Sequence, residues 1–322
     1  MSSSRLTTAF ADGLIDLPAG NIGLMRPPAI YDATALPEGR VTVMHGFYPD
    51  AMAWQNAGYP VSRDLGACGT AIVVVPRAKA LARAMVAAAS QHAGLVIVDG
   101  QKTDGVDSLY RECRKRLGDL PTLSKAHGRM FWFPGTDVFA DWAAPAPQTG
   151  PEGFITAAGV FSDGAVDPGS AVLAAALPAK LPARIADLGA GWGYLAHHVL
   201  QRAGVASVDL IEAEALSLDC ARRNVTDPRA VFHWADATQF EAAAFDGIVM
   251  NPPFHTGRTA DPSLGRSFIQ AAARLLTPNG KLWMVANRHL PYEATLTACF
   301  RNVDTIGGNS AFKVFHANKP LR

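Results

Sequence analysis

The sequence predicts two α/β units in series, each built on a mostly parallel sheet. Three observations carry that prediction. Short β-rich runs alternate with helical runs in both halves, a proline-bearing stretch without periodicity lies between them, and 322 residues suffice for two cores.

The first half shows strands at Val41–Met44, Ala71–Val75 and Gly94–Val98, with helices at 77–90 and 107–118. The stretch "WAAPAPQTGPEG", Trp142 to Gly153, reads as the linker, placing one domain at 1–145 and another at 150–322. The second half is cleaner: strands are expected at 184–188, 207–211, 230–234, 246–250, 281–286 and 311–315, with helices between most of them. The two halves share their order of elements, as an internal duplication would.

Composition excludes several classes. With 29 basic and 28 acidic residues the net charge is +1, so the chain is no uniformly basic coat for nucleic acid, although local basic patches remain open. Cys68, Cys113, Cys220 and Cys299 lack metal-ligand spacing and are too few for a disulfide framework, which suits reduced thiols in the cytoplasm. No run is apolar enough for a membrane span or a signal peptide. No membrane or metal is expected.

"IADLGAGWGYLAHHVL" ends an apolar strand in Asp187 and follows it with Gly189, Ala190, Gly191 and Gly193 before a helix opens. Glycines allow a tight turn and close approach of a ligand to the backbone, and the helix start adds free N–H groups. The spacing is not the G-x-G-x-x-G of dinucleotide binders. An acid two residues before the first glycine disfavours a pyrophosphate and suits a cation. S-adenosylmethionine, with its sulfonium and α-ammonium, fits. Glu212 ends the next strand, where an acid holds ribose hydroxyls; Glu214 is its rival, one turn into the helix. Asp236 follows the third strand, as an acceptor for the adenine amine or as a helix N-cap.

The fourth strand delivers "NPPF": Asn251, Pro252, Pro253 and Phe254. Prolines stiffen the backbone and keep the preceding residue out of helix. In open α/β sheets ligands bind at the carboxyl ends of strands, so this hook and the glycine loop share one cleft. The Asn251 side-chain carbonyl and the Pro252 backbone carbonyl are suited to accept the hydrogens of an exocyclic amine. That localises its lone pair for attack on a methyl carbon in a direct displacement. Phe254 offers a face for a base to stack on.

These residues resemble the class I S-adenosylmethionine-dependent methyltransferases. The resemblance is closer to the bacterial rRNA guanine-N2 methyltransferases of the duplicated "methyltransferase small" architecture. "NPPFHTG", "VANRHLPY" (285–292), "FKVFHANK", "GVFSDGAVDPGS" (159–170) and, in the first half, "DGQKTDGVDSL" (99–109) carry it.

The resemblance implies two tandem Rossmann-like methyltransferase domains. The first would be degenerate, with a folding and RNA-gripping role. The second would be catalytic, a seven-stranded sheet with an antiparallel last strand. It further implies cofactor contacts at Asp187, Gly189 and Gly191, Glu212 at the ribose and Asp236 at the adenine. Asn251 and Phe254 would meet the target base, with Asp167 in a cofactor-flanking segment. The expected reaction is methylation of the N2 amine of a guanosine in rRNA by a monomer, on naked RNA or an assembled subunit. Arg288-His289 is similar to the large-subunit branch and Leu290-Pro291-Tyr292 to the small-subunit branch. Adenine N6, a protein glutamine amide and a non-catalytic assembly factor stand as alternatives.

Further candidates are weaker. His255, Arg258 and Arg288 are placed to touch substrate. "RECRKR" (111–116) and Lys125, His127 and Arg129 are two basic stretches, each a phosphate contact or a solvated face. His197 and His198, inside the first helix after the loop, read as packing or surface residues.

Overall fold

The computed structural model describes residues 4–162, 165–253 and 262–321. The chain divides into two compact units, Met1–Ala146 and Pro147–Arg322.

The first unit runs α1 (Arg5–Ala11), β1 (Ile22–Met25), β2 (Val41–Met44), α2 (Tyr48–Asn56), β3 (Val61–Ser62), β4 (Cys68–Val74), α3 (Lys79–His92), β5 (Ala93–Gln101), α4 (Val106–Leu117), β6 (Thr122–Lys125) and β7 (Gly128–Pro134). A short ribbon, β8 (Gln148–Thr149) with β9 (Ile155–Thr156), opens the second unit. It continues with α5 (Pro168–Ala176), β10 (Arg184–Leu188), α6 (Tyr194–Leu200), β11 (Ser207–Glu212), α7 (Ala215–Asn224), β12 (Ala230–Trp234), β13 (Phe245–Met250), α8 (Pro262–Leu275), β14 (Leu276–Asn287), α9 (Glu293–Cys299), β15 (Phe300–Gly308) and β16 (Phe312–Pro320).

The two sheets have one plan. Their orders are β3-β2-β1-β4-β5-β7-β6 and β12-β11-β10-β13-β14-β16-β15. In each, five strands are parallel, and an antiparallel strand sits between the fifth and the sheet edge. The central strands are covered on both faces and so are mostly apolar: Ile22–Met25 is buried at every position, as is Ile185–Leu188, where Asp187 is the one charged residue. Helices supply apolar stripes: Val106, Leu109 and Cys113 on α4, and Phe268, Ile269 and Ala272 on α8. The edge strand β15 faces solvent and carries Arg301 and Asp304 with an irregular register at Gly307, features that discourage pairing with another chain.

One expectation is corrected, and the two basic stretches gain a setting. Trp142 is no linker residue: it is buried in the first core, tilted against Phe139 and under the Arg116 guanidinium. The basic stretch around Lys125–Arg129 is the β6–β7 hairpin, turned through Ala126 and His127 at φ +50° and +55°. On α4, Arg114 is paired with Asp119 and Arg116 with Asp141, while Arg129 bonds Asp107 and lies over Tyr110, so these cations already have partners.

Candidate functional site

The second sheet brings three strand ends together. β10 lies between β11 and β13, so the glycine loop, Glu212 and Asn251 all emerge at its carboxyl edge. The loop leaves β10 through left-handed glycines: Gly189 at φ +73°, Gly191 at +56° and Gly193 at +91°. The N–H groups of Gly189 and Ala190 both donate to the Ile211 carbonyl, which draws the loop over β11. A Cβ on Gly191 would meet nothing within 4 Å, so there is room above its backbone for a ligand. Gly193 is different: a Cβ there would lie 2.9 Å from Val225 Cγ2, so its glycine serves helix packing.

Asp187 is fully buried. Its Oδ2 accepts from the Ala196 N–H at 3.0 Å, bracing the start of α6, and its Oδ1 has no hydrogen-bond partner among the described residues. Burial pushes its carboxyl up to about 7, the Ala196 N–H opposes that, and the nearby Glu212 charge adds to it. Glu212 Oε2 accepts from Gly191 N–H at 2.8 Å and Oε1 from Glu214 N–H at 2.7 Å. Burial raises its pKa as well. A buried carboxyl with an orphaned oxygen beside a half-buried one makes a place where a cation is welcome and a phosphate is not. The loop, the room above Gly191 and this acidic pair fit S-adenosylmethionine. Glu214 stands at the N-cap of α7 instead of a turn inside it.

Asp236 Oδ1 accepts from both the N–H and the hydroxyl of Thr238, at 2.8 and 2.7 Å, so it holds a turn, not a helix start. His197 and His198 pack in an aromatic group with Phe154 and Tyr194, as packing residues would. Trp192, inside the glycine loop, is tied down by its Nε1–H to the Phe161 carbonyl and by Asn224 to its own carbonyl.

The hook begins at Asn251. Its Nδ2 donates to Asp167 Oδ2 at 2.8 Å and to Ser170 Oγ at 2.9 Å, leaving the carbonyl oxygen as the acceptor end of the amide. Sequence reasoning singled out Asp167 but missed Ser170. The available signal was D-P-x-S, an N-cap with proline at the first helical position. Pro252 is buried and Pro253 exposed. Phe254, His255 and Arg258 lie outside the described residues. Arg288, just past β14, is exposed, and its Nε donates to the Asn309 carbonyl.

The same edge of the first sheet can be matched residue by residue through strand register. Met25 pairs with Met44 and Val73 as Leu188 pairs with Ile211 and Met250. Arg26 N–H donates to the Met44 carbonyl as Gly189 N–H donates to Ile211, and Arg26 is left-handed at φ +50°. Leu24 therefore stands where Asp187 stands, His45 where Glu212 stands, and Val74 where Asn251 stands. A buried group, Arg5 with Asp99 at 2.5 Å and the Tyr31 hydroxyl on Asp99 at 3.0 Å, lies at that end of β5.

No group of metal-ligating side chains and no helix long and apolar enough to cross a membrane occurs among the described residues.

A glycine loop, an acid on the next strand and an asparagine hook on the fourth define a methyl-transferring enzyme of the two-faced α/β kind. The chain belongs to the methyltransferase small domain family, which matches residues 152–316. It is 32% identical over 260 residues to the ribosomal RNA small subunit methyltransferase C of Shewanella sp. (strain MR-4), covering 76% of each chain. It is likewise 32% identical over 259 residues to the protein of that name from Hahella chejuensis, covering 76% of this chain and 75% of the relative. Among solved structures, the T. thermophilus 16S rRNA N2 G1207 methyltransferase in complex with AdoMet and guanosine superposes with a TM-score of 0.79. That match has 26% identity and covers 95% of this chain and 90% of that one.

Proposed function

We propose that this chain transfers a methyl group from S-adenosylmethionine to the N2 amine of a guanosine in small-subunit rRNA, in the cytoplasm and as a monomer. The observation that carries the reading is the position of Asn251. It stands beside the glycine loop at the carboxyl edge of the sheet, with its amide nitrogen engaged and its oxygen left to accept from an amine. The names of the relatives and of the structural match support the small-subunit target over the large-subunit one.

When bound, S-adenosylmethionine supplies an electrophilic methyl group on a sulfonium sulfur. Asp187 and Glu212 provide the negative charge beside it, Gly189, Ala190 and Gly191 give it backbone to lie against, and Gly193 closes the loop against α7. Asp236 borders the adenine end. Asn251 Oδ1 and the Pro252 carbonyl accept the two amine hydrogens, which draws the lone pair out of conjugation and holds it in line. Phe254 stacks on the guanine, and His255, Arg258 and Arg288 contact the RNA around it. Catalysis is mainly orientation.

The domain roles follow. Residues 150–322 are catalytic. Residues 1–145 form a degenerate copy, whose Leu24, Arg26, His45 and Val74 remove the acid, the first glycine, the ribose acid and the hook. It serves folding and RNA binding.

The test is mass spectrometry of nucleosides from unmethylated 16S rRNA, free and in small subunits, after incubation with labelled cofactor. Label in N2-methylguanosine is expected. Label in N6-methyladenosine or protein, or none at all, overturns the reading.

A further inference from the structure

An asparagine amide has two ends of nearly equal size and opposite hydrogen-bonding sense. Rotated by 180°, Asn251 would present N–H groups to the substrate amine, which is itself a donor, and transfer would lose its acceptor. Something must choose the orientation. Asp167 Oδ2 accepts from Asn251 Nδ2 at 2.8 Å, and the same oxygen accepts from the Ser170 N–H at 2.8 Å; Ser170 Oγ accepts the second Asn251 hydrogen at 2.9 Å. A carboxylate only accepts, so the rotated amide would set oxygen against oxygen there. Ser170 is buried, and a Cβ on Gly169 would stand 3.0 Å from Asp167 Oδ2 and 3.0 Å from the Phe312 ring, so glycine at 169 leaves the carboxylate its place. The contact joins the N-cap of α5 to the end of β13, across 84 residues of sequence.

We propose that Asp167, supported by Ser170, is a positioning residue for methyl transfer: it fixes the Asn251 amide with its oxygen toward the acceptor amine. The proposal rests on reading Asn251 as that amine's acceptor. It predicts that Asp167 affects the rate only through Asn251.

Asp167 also caps α5, so a test must separate the two duties. Asp167→Ser does so. Serine is as good a cap, but its hydroxyl is one bond shorter than the carboxylate and leaves Asn251 unheld. Single-turnover methylation is followed with the full chain, saturating cofactor and small subunits reconstituted on unmethylated 16S rRNA. Asp167→Ala and Asp167→Ser are each expected to slow transfer by about 10- to 100-fold, the cost of a misplaced group. Cofactor affinity should stay within about threefold, and Asp167→Ser should melt like the parent. Asp167→Asn keeps an oxygen for both contacts and should recover most of the rate. In an Asn251→Ala background, Asp167→Ser should cost nothing more although it slows the parent; a helix cap alone would give no loss in either background. A parental rate in Asp167→Ser, or losses that multiply in the double variant, overturns the proposal while leaving the role of Asn251 standing. A parental rate in Asn251→Ala overturns both.

Discussion

His45 occupies in the first sheet the place that Glu212 occupies in the second. Each directly follows the residue paired with the end of its central strand, and each takes the backbone N–H two residues on: Phe47 to His45 Nδ1 at 3.0 Å, Glu214 to Glu212 Oε1 at 2.7 Å. The local scaffold is kept and the acid is gone. The chain should therefore bind one S-adenosylhomocysteine, not two, in titration calorimetry. Glu212→Ala should weaken that single site by at least about 1.4 kcal/mol, or tenfold. A stoichiometry of two, or an unchanged affinity in Glu212→Ala, would count against the assignment.

Asn251→Ala removes the acceptor and leaves the prolines and the glycine loop. Methyl transfer should fall by about 10² to 10⁴, while cofactor affinity changes by only a few-fold, since one polar contact is worth about 1 kcal/mol. Asn251→Asp keeps an acceptor oxygen, and partial activity is expected. Pre-steady-state rates at saturating cofactor distinguish these outcomes, and equal rates in all three proteins would reduce the hook to a turn.

The Asp187 carboxyl, at about 7 in the fold, gives a pH signature. Its folded value is raised above that of the unfolded chain. Between about pH 4 and 7 the native state thus holds a proton that the unfolded state has shed. The sign is a penalty: absent below that window, it grows as pH rises through it. A cationic ligand favours the ionised form, so S-adenosylmethionine should bind more tightly as pH rises toward and past 7, and should expel a proton at pH 6.5. Calorimetry in buffers of different ionisation heat measures the proton. Asp187→Asn, which keeps an oxygen for the Ala196 N–H, should abolish it. Undiminished release in that variant would place the proton elsewhere.

Gly191 and Gly193 should fail in different ways when changed to alanine. Both are left-handed, a strain of about 1–2 kcal/mol for alanine. At Gly193 the new methyl also meets Val225 and Ala221, so thermal stability should drop further. At Gly191 it enters open space, so the fold should lose only the strain while cofactor affinity falls. Parental affinity in Gly191→Ala would mean that the space above the loop is not where the ligand lies.

Much of the catalytic unit could be read from the chain because its chemistry is local. Asp187 through Gly193 is one continuous strand-turn-helix, and Asn251 through Pro253 is one strand end. What escaped was either weakly patterned or distant. Ile22–Met25 is four residues with a glycine among them, too short to show a period. β15 is an exposed edge strand whose polar residues carry no apolar alternation. The β6–β7 turn is made by Ala126 and His127 in a left-handed conformation, and the glycine lies just after these two positions, at 128. The Asn251 contacts with Asp167 and Ser170 span more than 80 residues, and no local pattern encodes them. Trp142 reads as linker because small residues and prolines follow it and hide a side chain that closes a core.

In the second sheet, β16 is made after β15 but sits inside it, holding β14 on one side and β15 on the other. A polypeptide emerging from a ribosome therefore exposes an open edge on β14, and a β15 with no neighbour, until residues 312–320 have been synthesised. The first sheet repeats the arrangement with β7, which is complete by residue 134. During translation one unit can thus close early and stand finished beside a nascent second unit that cannot close until its seventh strand arrives.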